Sequence, residues 1–268
     1  MQPDLPMQWI EDLSDPRLDV FRKLRAAATR PAGEFFVAEG RNVVERLLAS
    51  DFEVVSLLCS VACEDWLAEQ PLAAETELLR VNNQQIRELV GFDFHRGVLA
   101  CARRRPRDAA QRLPTLASRQ IMLALCEVTD AENVGSIVRT ATALGVTDIL
   151  LSKGCADPFS RRALRVSMGT VLQQKFWNSP DMAASLSTLR DTQACRIVAT
   201  TLGQDAVELA AFPRNDQPVV LLLGNEGQGL AAGIESLATD RVTIPMHQDT
   251  DSLNVGVAAG IVLYQLSR

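Results

Sequence analysis

Three short segments in the second half of the chain hold residues that bind ligands or take part in catalysis. The first runs from Asn133 to Arg139 and ends in a guanidinium, which binds phosphate or carboxylate groups through paired N–H donors. The second, 223–230, has three glycines in six residues, so its backbone can take positive φ angles and approach a ligand closely. The third joins Ile244-Pro245-Met246 to Ser252-Leu253-Asn254-Val255. Together they predict a ligand pocket built from loops.

The elements that position these segments are indicated by the apolar pattern. Near-continuous apolar runs such as Val219–Leu223 are typical of parallel strands covered on both faces. Ligands in open α/β sheets bind at the carboxyl ends of strands, so the loops after such strands form the predicted site. The pattern predicts strands at 35–38, 54–58, 78–81, 97–102, 121–125, 147–151, 171–177, 195–200, 219–223 and 241–244, and helices beginning near 15 and at 43–48, 62–69, 83–90, 133–144 and 252–266.

The chain of 268 residues is long enough for two modest domains. A polar stretch with two prolines and no periodicity lies at 103–118, as expected of a linker. We therefore predict one domain at 1–105, a linker at 106–118 and a second domain at 119–268. No apolar run approaches the roughly 20 residues that span a bilayer, and residues 1–30 lack the apolar core of a signal peptide. These features predict a cytoplasmic protein without a membrane partner.

Cysteine usage and charge restrict the class of protein further. Six cysteines are scattered without a CxxC pair, which favours buried reduced thiols over disulfides or a zinc site. No acidic cluster indicates a metal. A net charge of −6 argues mildly against nucleic-acid binding. RNA contact would therefore need local basic clusters, such as 103–107 or the group Arg161, Arg162 and Arg165.

Each motif also has a purely structural interpretation. The glycine segment reads G-x-x-G-x-G rather than G-x-G-x-x-G, which argues against a dinucleotide fingerprint but leaves a plain tight turn open. Asn133 and Ser252 are both suitable helix N-caps. Arg139 stands among apolar residues, where an unpaired guanidinium would be costly, so we expect an anionic partner. That partner is either an RNA phosphate or an acid such as Asp130 or Glu132.

In this order and at this spacing, the three segments resemble the SpoU/TrmH family of the SPOUT superfamily, RNA ribose 2′-O-methyltransferases that use S-adenosylmethionine. The resemblance implies an α/β fold whose carboxyl-terminal domain carries a trefoil knot and works as a homodimer. The apolar helix expected at 255–266 has more apolar surface than one sheet face covers, which fits a dimer interface. Residues 36–41 and 95–98 more loosely resemble an L30e-like RNA-binding domain.

The resemblance also implies roles for individual residues. Catalysis falls to Asn133, Arg139, Glu226, Ser252 and Asn254. Contacts with S-adenosylmethionine fall to Thr200, Thr201, Leu202, Leu223, Gly224, Asn225, Gly227, Ile244, Met246 and Leu253. Contacts with RNA fall to Arg41, Arg96, Arg165 and Ser167, the last two holding either the RNA or the geometry of the site. Two positions depart from the family pattern: Gln248 stands where glycine is frequent, and Gly256 where serine is common.

The expected function is methylation of a ribose 2′-hydroxyl, in ribosomal RNA rather than transfer RNA and without a metal. The family's arginine, here Arg139, acts either as a base or as the group that positions the hydroxyl. Arginine is effectively always protonated, which favours positioning, with Glu226 or water taking the proton. Three alternatives remain open: a transfer-RNA substrate, methylation of a base by a related SPOUT enzyme, and a non-catalytic RNA-binding or assembly factor.

Overall fold

The computed structural model describes residues 7–22, 33–91, 97–105, 112–203, 205–248, 250 and 252–268. The chain divides into two compact units. One comprises residues 1–106 and 157–172, and the other comprises residues 107–156 and 173–268. Each unit has its own β-sheet.

The first unit is built on a mixed sheet of five strands in the order β1-β4-β3-β5-β2. Its apolar side chains, among them Leu18, Phe21, Leu58 and Leu99, form one buried cluster. A capping box between Asn82 and Gln85 begins the third helix. The elements are β1 (Gln8–Trp9), β2 (Phe35–Glu39), α1 (Arg41–Leu48), β3 (Val54–Ser60), α2 (Glu64–Ala68), β4 (Glu77–Val81), α3 (Asn83–Val90) and β5 (Val98–Arg103), together with Arg161–Val166, which is α5 in chain order.

The second unit is built on seven strands in the order β10-β12-β9-β11-β6-β7-β8, all paired in parallel. The central strands β6 and β11 are buried at every position, as their continuous apolar sequences predict. The elements are β6 (Ile121–Leu125), α4 (Ala131–Ala143), β7 (Asp148–Ser152), β8 (Lys175–Ser179), α6 (Met182–Gln193), β9 (Arg196–Thr200), β10 (Val207–Glu208), β11 (Val219–Leu223), α7 (Ala232–Glu235), β12 (Asp240–Thr243) and α8 (Val255–Leu266).

Most predicted elements are confirmed, with small shifts at their ends. The strand predicted at 171–177 is wrong in its first part, because residues Thr170–Gln173 form a 3-10 turn and the strand begins at Lys175. The helix expected near residue 15 is also a 3-10 helix, Pro16–Phe21. Helices α5 and α6 were missed.

The six cysteines are free, and five of them are buried, which confirms the predicted burial. Burial raises the pKa of the Cys126 thiol to about 12, so it stays protonated at neutral pH. Within the described ranges, no helix is both long enough and apolar enough to cross a membrane. No group of three or more histidine, cysteine or acidic side chains capable of holding a metal occurs among these same residues.

Candidate functional site

Three loops meet at the carboxyl edge of the second sheet. Strands β12, β9 and β11 are neighbours and parallel, so the loops that follow them leave the sheet on the same side. They enclose a cavity of about 590 Å³, within the range of small-molecule sites. Nine of the ten predicted cofactor residues line it: Thr200, Thr201, Leu202, Gly224, Asn225, Gly227, Ile244, Met246 and Leu253.

Leu223 is the tenth predicted cofactor residue, and the structure does not place it in the cavity lining. Its side chain is buried at the end of β11. Its carbonyl accepts the backbone N–H of Cys126 at 2.8 Å. Leu223 therefore links the end of β11 to the segment that follows β6 and anchors the start of the glycine loop.

The glycine loop is held closed by its own hydrogen bonds. Asn225 and Gly229 exchange two backbone hydrogen bonds of 2.9 Å, while the Asn225 side chain accepts the N–H of Gly227 at 2.9 Å. A Cβ atom at Gly224 would overlap the Gly229 carbonyl and lie 2.6 Å from the Leu230 nitrogen. Glycine at 224 is thus required by closure of the loop itself, in addition to any approach of a ligand.

The Glu226 side chain is the acceptor at the centre of this site. Its carboxylate accepts the backbone N–H of Asp130 at 3.0 Å, that of Thr129 at 3.2 Å, and the Thr129 hydroxyl at 3.3 Å. The Asn133 amide donates a fourth hydrogen bond at 3.0 Å. Burial would raise the pKa of the Glu226 carboxyl, but the hydrogen bonds from Asn133 and the backbone outweigh it and lower the pKa. Glu226 is therefore an anion at neutral pH.

Asn133 and Asn254 extend this network to the last helix. The Asn254 amide donates to Asn133 Oδ1 at 2.9 Å, and Asn254 Oδ1 accepts the backbone N–H of Gly256 at 2.9 Å. The predicted capping roles of Asn133 and Ser252 are wrong. Asp130 caps α4, with Asn133 inside its first turn, and Asn254 caps α8. Ser252 precedes α8 as an exposed residue in the cavity lining.

Arg139 lies in the body of α4, and its side chain is exposed. The expectation that it sits in an apolar environment is wrong, because the buried face of α4 is formed by Val134, Ile137, Val138 and Ala141. Within the part of the chain that the structure describes, Arg139 makes no ion pair with Asp130 or Glu132. The guanidinium is therefore directed at solvent, where an external anion can reach it.

The residues expected to contact RNA lie in the first unit. Arg41 donates to the Ala62 carbonyl at 3.1 Å and lies over the Trp66 ring, at the edge of a second cavity of about 600 Å³. Arg165 is half-buried on α5. Ser167 is fully buried, and its hydroxyl donates to the Leu164 carbonyl at 3.0 Å, which favours a role in local geometry. Arg96 lies outside the described residues.

The two departures from the family pattern differ in how well the residue fits its position. Gln248 has a φ of +57°, a left-handed conformation that glycine adopts most easily. A Cβ atom at Gly256 would lie 3.0 Å from Ser136 Oγ on α4, so the hydroxyl of Ser136 occupies the space beside Gly256.

The sequence interpretation missed three residues that matter for the site. Thr129 and Asp130 hold Glu226 through their backbone N–H groups, and Glu235 lines the cavity from α7. Asp130 could have been recognised, since an aspartate between an apolar strand and a helical pattern is a frequent N-cap. Glu235 had no comparable signal.

An all-parallel sheet with a loop-built cavity at its carboxyl edge defines an α/β protein that binds a small molecule there. Residues 120–264 match the SpoU rRNA methylase family. The chain is 36% identical to an uncharacterized tRNA/rRNA methyltransferase of Mycobacterium bovis, covering 99% of this chain and 94% of the relative. It is 29% identical to the 23S rRNA (guanosine-2′-O-)-methyltransferase RlmB of Acinetobacter baylyi, covering 85% and 95%. An S-adenosylmethionine-bound rRNA methyltransferase from Sinorhizobium meliloti superimposes with a TM-score of 0.82 at 27% identity, covering 97% of both chains.

The chain belongs to the SpoU rRNA methylase family. It is an S-adenosylmethionine-dependent RNA methyltransferase of the SPOUT fold. The residues of the cavity fit this cofactor. Leu202 is 63% exposed there, and together with Ile244 and Leu253 it offers apolar surface to an adenine ring. Carboxylates in the same lining offer charge complementary to a cationic ligand.

Proposed function

We propose that this enzyme methylates a ribose 2′-hydroxyl in ribosomal RNA. Support comes from the Acinetobacter relative, which is named a 23S rRNA guanosine-2′-O-methyltransferase. The observation that carries the proposal is the network from Glu226 through Asn133 to Asn254. It fixes the first turn of α4 at the cofactor cavity, and Arg139 follows about 9 Å further along the helix axis.

Some residues of the site bind the cofactor, and others bind the RNA. Bound S-adenosylmethionine supplies a methyl group activated by a sulfonium. The loops after β9, β11 and β12 bind and orient it, and alignment of donor and acceptor is a major source of rate enhancement. Arg139 binds a phosphate of the RNA and so positions the hydroxyl, because a guanidinium stays protonated and binds phosphate strongly.

The proton of the hydroxyl needs an acceptor, and we propose water rather than Glu226. The Glu226 carboxylate already accepts four hydrogen bonds, and these help to lower its pKa. A carboxylate of lowered pKa is a weak base. Glu226 is therefore a positioning residue, and Ser252 and Asn254 complete the wall of the cavity on the side of α8.

The test of this proposal is Arg139→Ala. We expect methyl transfer to ribosomal RNA to fall by about 100-fold in kcat/KM, the order of magnitude for loss of a positioning group. The affinity for S-adenosylmethionine should be unchanged, because Arg139 does not line the cavity. Arg139→Lys keeps the charge but loses the paired donors and should recover part of the rate. Full activity of the alanine variant would contradict the role given to Arg139.

The substrate and the methylated atom are tested by nucleoside mass spectrometry. Ribosomal and transfer RNA from cells with and without the gene should differ in a 2′-O-methylated nucleoside of ribosomal RNA. A change confined to transfer RNA would support the first alternative, and a methyl group on a base the second. An RNA-binding factor without catalysis would show no transfer in vitro, although the family relationship and the intact site disfavour it.

The first unit is proposed to bind the RNA, as the resemblance of its sequence to L30e-like domains implies. Arg41 is exposed and Arg165 is half-buried in the structure, and Arg96 remains a candidate on the basis of its sequence position. The domain limits proposed from the sequence are 1–105 and 119–268, while by compactness residues 157–172 belong to the first unit. Ribosomal RNA as substrate implies that the enzyme acts in the cytoplasm.

We also propose that the enzyme is a homodimer that uses α8. One face of this helix packs against the second unit through Ala259, Val262, Leu263 and Leu266. The opposite face exposes Val257, Ile261 and Tyr264, which are 52%, 40% and 55% exposed. Their spacing places them in one stripe, and such apolar surfaces are frequent at interfaces between subunits.

A further inference from the structure

Two carboxylates line the cofactor cavity, Glu226 from the glycine loop and Glu235 from the end of α7. Among the lining residues that the structure describes there is neither a lysine nor an arginine. Arg241 lies beside Glu235: its Nε is 3.8 Å from Glu235 Oε1, and its terminal nitrogen is 3.5 Å from Asp205. The two carboxylates of the lining therefore make the wall of the cavity negatively charged, and the one guanidinium beside Glu235 is shared with Asp205.

This negative charge distinguishes the two forms of the cofactor. S-adenosylmethionine has a positive sulfonium, whereas S-adenosylhomocysteine, which remains after methyl transfer, has a neutral sulfur. Their adenine, ribose, ammonium and carboxylate groups are the same. A cavity lined by carboxylates therefore interacts more favourably with the donor than with the product.

We infer that the Glu235 carboxylate selects the charged methyl donor over the neutral product. The inference rests on the assignment of this cavity to S-adenosylmethionine. The expected consequence is rapid exchange of product for donor after each turnover, because the product loses the electrostatic attraction that holds the donor.

Glu235 fits this role better than Glu226 does. Glu226 accepts four hydrogen bonds and fixes the loop before α4, so its oxygen atoms are already engaged. Glu235 is only loosely paired, since 3.8 Å to Arg241 exceeds the length of a hydrogen bond. Arg241 also donates to the backbone carbonyl of Glu235 at 3.3 Å, a contact that survives replacement of the side chain. Substitution at 235 therefore changes the charge of the cavity while leaving this contact in place.

The test compares three ligands by isothermal titration calorimetry with the full-length protein. They are S-adenosylmethionine, sinefungin, which carries an ammonium near the position of the sulfonium, and S-adenosylhomocysteine. In Glu235→Gln the preference for the two charged ligands over the neutral one should fall by roughly three- to tenfold, as expected for one partly screened charge at short range. Affinity for S-adenosylhomocysteine should change less than about twofold, within the variation that surface substitutions cause.

Two control variants separate charge from structure. Glu235→Asp keeps the charge and should keep the preference. Asp216→Asn removes the same charge before β11, at the opposite edge of the sheet, and should have no effect. An unchanged preference in Glu235→Gln, or an equal loss for all three ligands, would overturn the inference, the second outcome indicating contact with the shared ammonium. If the wild-type protein bound none of the three, the assignment of the cavity itself would fail.

Discussion

The Glu226 carboxylate connects three parts of the second unit. It holds the segment before α4 through Thr129 and Asp130, and the first turn of α4 through Asn133. Asn133 in turn accepts from Asn254, the cap of α8. One side chain on the cofactor loop thereby fixes the starts of two helices.

Replacement of Glu226 by glutamine tests this connection. The glutamine side chain would place an NH2 group where one carboxylate oxygen now accepts hydrogen bonds. At least one donor would then face another donor, so that hydrogen bond is replaced by repulsion. We expect methyl transfer to fall by about tenfold or more and the affinity for S-adenosylmethionine to weaken, because the loop is shared. The hydrogen bonds of Asn225 to Gly227 and Gly229 do not involve Glu226, so the glycine loop itself should stay folded in this variant. Wild-type rates and affinity in the glutamine variant would show that the network is dispensable.

The lowered pKa of Glu226 predicts a pH dependence of stability. A group whose folded pKa lies below its unfolded value stabilises the fold above the unfolded pKa and loses this contribution as the pH falls through the folded pKa. The ordinary pKa of a glutamate carboxyl is 4.5, and the pKa of Glu226 in the folded protein is lower. The difference in melting temperature between wild type and Glu226→Gln should therefore be constant near neutral pH and shrink below about pH 4.5. A difference that grew on acidification would contradict the assignment.

Gln248 offers a second prediction at a single position. Its φ of +57° costs an ordinary residue roughly 1 kcal/mol or more and costs glycine almost nothing. We expect Gln248→Gly to range from neutral to about 1 kcal/mol more stable in denaturant unfolding, offset by the greater freedom of glycine in the unfolded chain. Gln248→Val should be at least about 1 kcal/mol less stable, because β-branched residues are strained at positive φ. Equal stability of the two variants would argue against a left-handed conformation at 248.

Single residues were predicted unevenly from the sequence. Nine of the ten residues that the family resemblance assigned to the cofactor line one cavity, and glycine and proline mark the turns in which many of them lie. The partners of Glu226 were not predicted, since Thr129 and Asp130 contribute backbone N–H groups that any residue type except proline possesses. Arg139 was assigned to an apolar environment because its neighbours in sequence are apolar, yet they face the other side of the helix.

At the scale of elements, α8 has one buried and one exposed apolar face. Its buried face packs on α4, and its exposed stripe is formed by Val257, Ile261 and Tyr264. This division explains why the sequence of α8 is apolar on all sides.

Ile261→Asp tests whether the exposed stripe joins two copies of the chain. A charge at the centre of an apolar interface is strongly unfavourable, so we expect a shift from dimer to monomer in light scattering at micromolar concentration. Val61→Asp places the same charge at an exposed valine of the first unit and should leave the dimer intact. A monomeric wild-type protein, or a dimer that persists in the Ile261→Asp variant, would refute the use of this face.

The elements with an unambiguous apolar pattern in the sequence were predicted, and those with a mixed pattern were not. The strands β6 and β11 are continuous apolar runs, which few other structures accommodate. Helix α6 was missed because Met182, Leu186 and Leu189 are its only buried residues and the rest are small or polar. Residues Thr170–Gln173 look like a strand in sequence, but their apolar side chains are buried by a 3-10 turn.

At the scale of the whole molecule, a net charge of −6 must be reconciled with an RNA substrate. Nucleic-acid binding gains affinity from each phosphate that a cation neutralises, so a few well-placed arginines can outweigh a negative total. In the first unit, Arg41 is held over Trp66 and beside the Ala62 carbonyl, which fixes its guanidinium in one place.

The salt dependence of RNA binding measures how many arginines take part. Arg41→Gln should weaken binding similarly for different RNA sequences and reduce the slope of log affinity against log salt by about one. Arg17→Gln is the matched control, because Arg17 is engaged by Asp15 and Glu77 in the same unit. An unchanged slope in Arg41→Gln would remove Arg41 from the interface.

The order of strands in the second sheet was the part of the fold that the sequence did not provide. Apolar runs predict which segments form strands. They do not predict that β9 lies between β11 and β12, because this order depends on packing between side chains far apart in sequence. The position of the three loops beside one another therefore followed from family resemblance and from the rule for open sheets, and not from periodicity.

The close approach of Gly256 to Ser136 has an evolutionary consequence. A Cβ atom at 256 would lie 3.0 Å from Ser136 Oγ and 3.1 Å from Asn254 Oδ1, so we expect the residues at 136 and 256 to covary among relatives. Lineages with serine at 256 are expected to have alanine or glycine at 136, and exchanging both residues together should be tolerated where adding serine at 256 alone is not.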